Sequence, residues 1–333
     1  MAHLTWTTRT RDGDDPTLPV CLPSDETIDL PPQPAPFVAL PAPSERPWLS
    51  GFRVEAELGR GSMGRVYRAY DLMRKRAVAL KVSSEASADA RARVLAEAEL
   101  QAQLLHPAIP RVLGQGALPD GRGYLLQDLV HGARSLSDAA RGARQAHVVL
   151  WAARAAEALA EAHGRCVAHG DVKPENLLVD AHGRVFVIDW GVARLGRCER
   201  RSSARLSPSL EEFAERQGSW VQGTLAYMPP ETLQGHPGPA SDVYSLALSM
   251  VEAFGGEHPF VRLMDDANRV VKRVLYGPAV CPPAGLQPAL GELLRRCLDK
   301  DPAARPTSLE LAEGLRAFAG GTRPGPLRSR AGA

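Results

Sequence analysis

The sequence predicts an α+β protein of two lobes: a small, mainly β lobe with one main helix, then a larger, mainly helical lobe. Three observations carry this. Between Phe52 and Leu129, short apolar runs of strand type are separated by glycine-rich and Pro-Asp-Gly turns. One segment of that region, Ala88–Leu105, is rich in Ala, Leu, Glu and Gln and lacks Gly and Pro, as a helix requires. After Gly132 the balance reverses, beginning with the long Ala-rich helical pattern Gln145–Arg165.

The elements follow in order. Phe52–Leu58 alternates as a strand and runs into glycines at 59, 61 and 64. Val66–Ala69 and Ala77–Val82 are the next two strands. His106-Pro107 ends the helix, because the residue before a proline is pushed out of the helical region. Ile109–Gln115 and Gly123–Leu129 are strands joined by Pro119-Asp120-Gly121. In the second lobe, short strands Leu177–Val179 and Val185–Ile188 flank the turn Asp180–Gly183. Helices are expected over Ala240 to about Phe254, Asp265–Val274, Pro288–Leu298 and Ser308–Phe318.

The 333 residues suffice for two lobes with sizeable cores. Residues 1–47 differ in composition: ten are proline, and most others are small, polar or acidic. Such a segment buries too little apolar surface to offset its ordering entropy, so it reads as a disordered or polyproline-like leader. The Gly-, Pro- and Arg-rich tail 320–333 is expected to be disordered as well. A net charge of +2 gives no reason to expect nucleic acid. No stretch has the roughly 18 apolar residues a membrane span needs, and the start lacks a signal-peptide pattern, so the expected location is cytoplasmic. The five cysteines show no CxxC spacing and are expected to be reduced thiols.

Four segments carry chemistry. Gly59-Arg60-Gly61-Ser62-Met63-Gly64-Arg65-Val66 is a GxGxxGxV loop between strands, where missing side chains let backbone amides approach phosphate oxygens. By itself it fits a phosphate cradle or a plain hairpin. A dinucleotide-binding loop would open a helix after its third glycine, whereas Val66 and Tyr67 are strand formers. Val78-Ala79-Leu80-Lys81 puts a lysine in an apolar strand, where it needs a counter-charge. Glu97 and Glu99, on the helix before His106-Pro107, are the candidates. Finally, His169-Gly170-Asp171-Val172-Lys173-Pro174-Glu175-Asn176 and Ile188-Asp189-Trp190-Gly191 set two aspartates, a lysine and an asparagine at fixed offsets. That is equipment for phosphoryl transfer: a proton acceptor, a cation for phosphate and oxygen ligands for a divalent metal.

Together these segments resemble the protein kinases, specifically the eukaryotic-like (Hanks-type) serine/threonine kinases of bacteria, over about residues 50 to 319. The resemblance implies a two-lobed kinase domain over 48–319, with an N-lobe of about 48–131 and a C-lobe of about 132–319. It implies ATP as phosphoryl donor with Mg²⁺, or Mn²⁺, and proteins bearing Ser or Thr as substrates. Asp171 would be the base, with Lys173 contacting the moving phosphate. Lys81 would hold phosphates while paired to Glu97, preferred to Glu99 for its spacing to His106-Pro107. Gly59, Arg60, Gly61, Ser62, Gly64, Val66 and Ala79 would enclose the nucleotide, with backbone groups of Asp128 and Val130 on adenine and Gln127 at the back of the pocket. Asn176 and Asp189 would hold the metal. Gly223–Glu231 resembles the end of an activation segment, with Thr224 beside Asp171; Glu231 would pair with Arg305, and Asp242 would receive amides of the catalytic loop.

Departures from the family pattern also carry expectations. Gly170 stands where many kinases have an arginine that helps bind an activation-loop phosphate, so activity is expected not to require that phosphate. Trp190 replaces a phenylalanine as a packing variant. Arg194, Arg197, Arg200, Arg201 and Arg205, among several serines between 202 and 219, suit either autophosphorylation or a solvated loop. Two other functions are compatible with the fold: a pseudokinase scaffold, and a kinase for a small molecule. The complete set Lys81, Asp171, Asn176 and Asp189 disfavours the first, and the Gly223–Glu231 segment disfavours the second.

Overall fold

The structure is a computed structural model that describes residues 48–61, 63–191, 193–195, 225–255, 258–260 and 267–319. The expectations for segments 1–47 and 320–333, for Ser62, for Thr224 and for the serines of 202–219 lie outside the described residues.

The first lobe is one antiparallel sheet in the order β1-β2-β3-β5-β4. Its strands are β1 (Phe52–Gly61), β2 (Gly64–Asp71), β3 (Arg76–Ser83), β4 (Val112–Ala117) and β5 (Gly123–Asp128). Central β3 is buried along nearly its whole length, which explains its continuous apolar run. Helix α1 (Ala88–Ala102) lies between β3 and β4 in the chain, and its N-cap Ser87 accepts the Ala90 amide at 3.2 Å. Val94 and Ala98 of α1 pack on Leu125 of β5.

Two boundaries differ from expectation. The helix stops at Ala102 rather than Leu105, because the Gln103 and Leu104 amides turn back to Leu100 and Gln101 carbonyls at 3.1 and 3.0 Å. Strand β4 begins at Val112 rather than Ile109. The Ile109 amide closes a turn on His106 (2.9 Å), and Pro110 has no amide for a ladder.

The second lobe opens with β6 (Arg134–Ser135), α2 (Leu136–Ala140) and α3 (Gln145–Gly164). Short strands β7 (Val167–Ala168), β8 (Leu177–Val179), β9 (Val185–Val187) and β10 (Arg194–Leu195) follow. The β8–β9 hairpin pairs Leu177 with Val187, and β10 pairs with β7. Then come α4 (Pro230–Leu233), α5 (Pro239–Gly255), α6 (Ala267–Tyr276), α7 (Pro288–Cys297) and α8 (Ser308–Ala319). Helix α3 is apolar over most of its circumference, and Trp151, Ala155, Ala156 and Leu159 are wholly buried with Leu246 and Leu248 of α5. This core is the rigid base of the loops described next. Among the described residues no helix is long and apolar enough to cross a membrane.

The expectation of reduced thiols needs correction. Cys281 and Cys297 are free, but Cys166, just before β7, is disulfide-bonded. Its partner lies outside the described residues. Spacing could not show this bond, because disulfides are set by proximity in the fold.

Candidate active site

The cleft between the lobes gathers the residues that the sequence singled out. Lys81 projects from β3, where its backbone pairs with Val66 on one side and Leu125 on the other. Its Nζ donates to Glu97 Oε1 and Oε2 at 2.7 and 2.6 Å and to Asp189 Oδ1 at 2.6 Å. Glu97 is therefore the counter-charge, and Glu99, two residues on, faces elsewhere on the helix. Burial disfavours the charged lysine, yet the two carboxylates outweigh it and raise the Lys81 pKa. Burial pushes Glu97 up to about 7 against the pull of Lys81, with Asp189 adding to the rise. Burial works in the same direction on Asp189, but there Lys81 prevails and the carboxyl stays below its ordinary value.

Asp171, His169 and Gly170 sit in a loop fastened from below. Asp242, 1% exposed in the first turn of α5, accepts the His169 amide at 2.7 Å, the Gly170 amide at 2.8 Å and His163 Nε2 at 2.7 Å. Gly170 has φ +78°, a conformation that glycine adopts without a Cβ penalty. His169 is wholly buried, contacts the Ile188 carbonyl through Nε2 (2.9 Å) and packs on Trp190 in a tilted arrangement, ring centroids 4.6 Å apart. Trp190 is the packing group expected; its Nε1 donates to the Val187 carbonyl (3.3 Å). Asp189, just before it, is held at φ +64°, an uncommon conformation for a residue with a side chain.

Lys173 Nζ donates to Asp171 Oδ2 at 2.7 Å. Asn176 Nδ2 donates to the same oxygen (3.0 Å) and to the Asp171 carbonyl (2.8 Å). Burial raises the Asp171 pKa, and the Lys173 charge opposes that rise. The amide nitrogen of Asn176 is thus committed to Asp171, leaving Oδ1 as its side-chain acceptor. Asp189 keeps a second oxygen and a 38% exposed side chain. An amide oxygen and a carboxylate oxygen are hard donors of the kind a divalent cation takes.

The glycine loop roofs the cleft. Gly59 pairs with Val66 and Gly61 with Gly64 across β1 and β2. Arg60 is exposed and its Nε reaches Glu57 Oε1 at 3.2 Å. Gly64 has φ +156°, and a Cβ there would lie 2.0 Å from the Val82 carbonyl oxygen, so only glycine fits this closure. Ala79 is a small buried residue facing Gln127 across the β3–β5 ladder. The Asp128 amide donates to the Arg111 carbonyl (3.0 Å) and is therefore already used; Val130 lies two residues beyond, past the end of β5.

Glu231 and Arg305 meet as expected: Nη1 and Nη2 donate to Oε1 and Oε2 at 2.6 and 2.9 Å. Sequence reasoning missed three residues of this region. Met63, at the loop tip, lies where a Cβ on Gly191 would touch its sulfur. His163 braces Asp242 and contacts Ser308 Oγ at 2.9 Å. Gln101 is the third. Its signal was available, because it stands four residues after Glu97 and so on the same helix face.

A buried lysine shared by a helix glutamate and Asp189, across a cleft from an aspartate–lysine–asparagine cluster under a glycine-rich hairpin, is an arrangement suited to phosphoryl transfer. Comparison with known proteins agrees: the model of the protein kinase domain matches residues 52–314, and the chain belongs to that family. It is 34% identical over 288 residues to the serine/threonine-protein kinase PknA of Mycobacterium tuberculosis, covering 83% of this chain and 63% of that protein. It is 36% identical over 277 residues to the serine/threonine-protein kinase PknJ of the same organism, covering 78% and 44%. For PknD, also a serine/threonine-protein kinase of that organism, the identity is 33% over 258 residues, with 74% and 36% covered. The chain thus spans less than two thirds of the length of these relatives. Family membership implies the use of ATP and a divalent metal.

Proposed function

We propose that this chain is a serine/threonine protein kinase, transferring the γ-phosphoryl group of ATP to protein hydroxyls with Mg²⁺ or Mn²⁺. The observation that carries the reading is Lys81 bonded at once to Glu97 and Asp189, facing the Asp171–Lys173–Asn176 cluster. In this reading residues 48–319 are the catalytic unit, with the lobes meeting near 131. Gly59, Arg60, Gly61, Ser62, Gly64, Val66 and Ala79 enclose the nucleotide, and Asp128 and Val130 meet adenine through the backbone.

The Asp171 carboxylate orients the substrate hydroxyl and accepts its proton as oxygen bonds to the γ-phosphorus and the bond to ADP breaks. The raised pKa of Asp171 improves its basicity, and Lys173 beside it neutralises charge on the moving group. Lys81, fixed by Glu97, orients the remaining phosphates. Asn176 and Asp189 would hold the metal, which would supply positive charge beside the phosphates.

Gly170 supports a regulatory corollary. The catalytic loop reaches Asp242 through backbone amides, and position 170 offers no cation to an activation-loop phosphate. Activity should therefore survive replacement of every Ser and Thr from 202 to 219 by Ala. Loss of activity in a folded variant would refute this. Autophosphorylation within that basic, serine-rich segment is part of the same reading. The reaction itself is tested by incubating the full chain with γ-labelled ATP, Mg²⁺ and a mixed protein substrate, followed by phosphoamino-acid analysis. Label on Ser and Thr is expected; label chiefly on Tyr, or none, would overturn the assignment.

A further inference from the structure

Gln127 is a polar side chain at the position expected to back the nucleotide pocket, and the structure supplies its partner. Gln101, in the last turn of α1 and 1% exposed, donates from Nε2 to Gln127 Oε1 and to the Pro110 carbonyl, both at 2.7 Å. Pro110 leads into β4. Gln127 lies within β5, opposite Ala79 of β3 and Val112 of β4. One amide group thus ties the end of α1 to the sheet at two points.

The surroundings would suit an apolar residue better. Val94, Ala98 and Leu125 pack beside this face of the helix with Val112. Gln101 Oε1 is buried without a hydrogen-bond partner among the described residues, a net cost that leucine or methionine would avoid. What the glutamine supplies in return is direction. Two short bonds from a single nitrogen fix the rotation and height of α1 against β4 and β5, which packing alone leaves free to slide. Glu97 is one turn earlier on the same face, and its carboxylate must meet Lys81 within hydrogen-bond distance. Every group in the anchor belongs to α1, β5 or the approach to β4.

We propose that Gln101 is a positioning residue for phosphoryl transfer: through Gln127 and Pro110 it locks α1 so that Glu97 holds Lys81. It touches neither nucleotide nor substrate and acts only through Glu97. The inference rests on the kinase reading, and the test separates the two.

The experiment is steady-state phosphorylation by the full chain, with ATP varied, for wild type, Gln101→Leu, Glu97→Gln and the double variant. Since a displacement of about 1 Å can cost on the order of 100-fold in rate, Gln101→Leu should lower kcat at least about tenfold while KM for ATP moves less than about threefold. In the Glu97→Gln background the same change should cost less than about twofold, because the route it acts through is already gone. A packing role would give equal losses in both backgrounds, and that result overturns the proposal, as does a Gln101→Leu kcat within about twofold of wild type. Should Gln101→Leu fail to fold, Gln127→Leu removes the side-chain acceptor and leaves Gln101 in place; because it also changes the pocket wall, it is read by the same cycle on kcat at saturating ATP. A wild-type chain without phosphotransfer would refute the kinase reading before any variant is compared.

Discussion

Replacing Glu231 by Ala should destabilise the larger lobe by about 3 kcal/mol. The Arg305 side chain is completely inaccessible to solvent, and its guanidinium meets both Glu231 oxygens. Removing one partner of a buried ion pair costs about 3–5 kcal/mol, because the other charge stays buried and uncompensated. The lower end applies here. Arg305 also donates to the carbonyls of Asp299 (2.7 Å), Ala240 (3.0 Å) and Lys300 (3.4 Å), and lies 4.8 Å from the Tyr244 ring centroid. Ser241 Oγ, which donates to Glu231 Oε1 at 2.8 Å, would lose its acceptor too. With a urea m-value of about 3 kcal/mol/M, a loss of 3 kcal/mol lowers the unfolding midpoint by about 1 M. Tryptophan fluorescence is a direct assay, since Trp151 and Trp190 are both buried in this lobe. The double variant Glu231→Leu/Arg305→Leu should recover most of the loss, because a buried pair replaced by apolar groups is often neutral. A Glu231→Ala midpoint within about 0.2 M of wild type would show that the pair does not hold the lobe together.

Two further outcomes are expected. The Asp171 carboxyl is raised by burial and held down by Lys173, so the acid limb of kcat/KM should lie above the ordinary aspartate value of 3.8. Lys173→Ala removes the cation that favours the ionised form, so the residual activity should show its acid limb moved to still higher pH; a limb moved down would contradict the assigned contact. Gly64→Ala places a Cβ 2.0 Å from the Val82 carbonyl oxygen and 2.9 Å from its carbon, both backbone atoms that cannot swing aside. Overpacking of this kind costs about 1–3 kcal/mol, which thermal unfolding of the variant would show, and an unchanged melting temperature would refute the closure described.

The parts of this site legible in the sequence are those whose chemistry dictates an offset along the chain. Asp171, Lys173 and Asn176 share one loop, so their spacing alone brought them together, and in the structure Lys173 Nζ and Asn176 Nδ2 both bond Asp171 Oδ2, at 2.7 and 3.0 Å. Lys81 needed a counter-charge, and helix position singled out Glu97. Pairings set by how a helix rotates on a sheet left no such trace. Gln101 was visible as a residue on the Glu97 face of its helix, but its partner Gln127, 26 residues away, follows no spacing rule. The Cys166 disulfide was hidden for the same reason. Boundaries slipped where backbone turns compete with strand and helix, at Gln103–Leu104 and between Pro107 and Pro110. Gly170 is a case where sequence and structure inform each other: absence of a side chain suggested regulation, and in the structure the residue has φ +78° and is held to Asp242 through its backbone amide.

The most direct test of the account is single-turnover phosphoryl transfer by the full chain and its Asp171→Asn variant, with nucleotide affinity measured in parallel. The substitution keeps the side-chain shape and removes the proton acceptor. Transfer should fall about 10²–10⁴-fold while ATP affinity stays within about threefold of wild type. Equal transfer rates in the two proteins would contradict the assignment of Asp171 as the base, and with it the central claim.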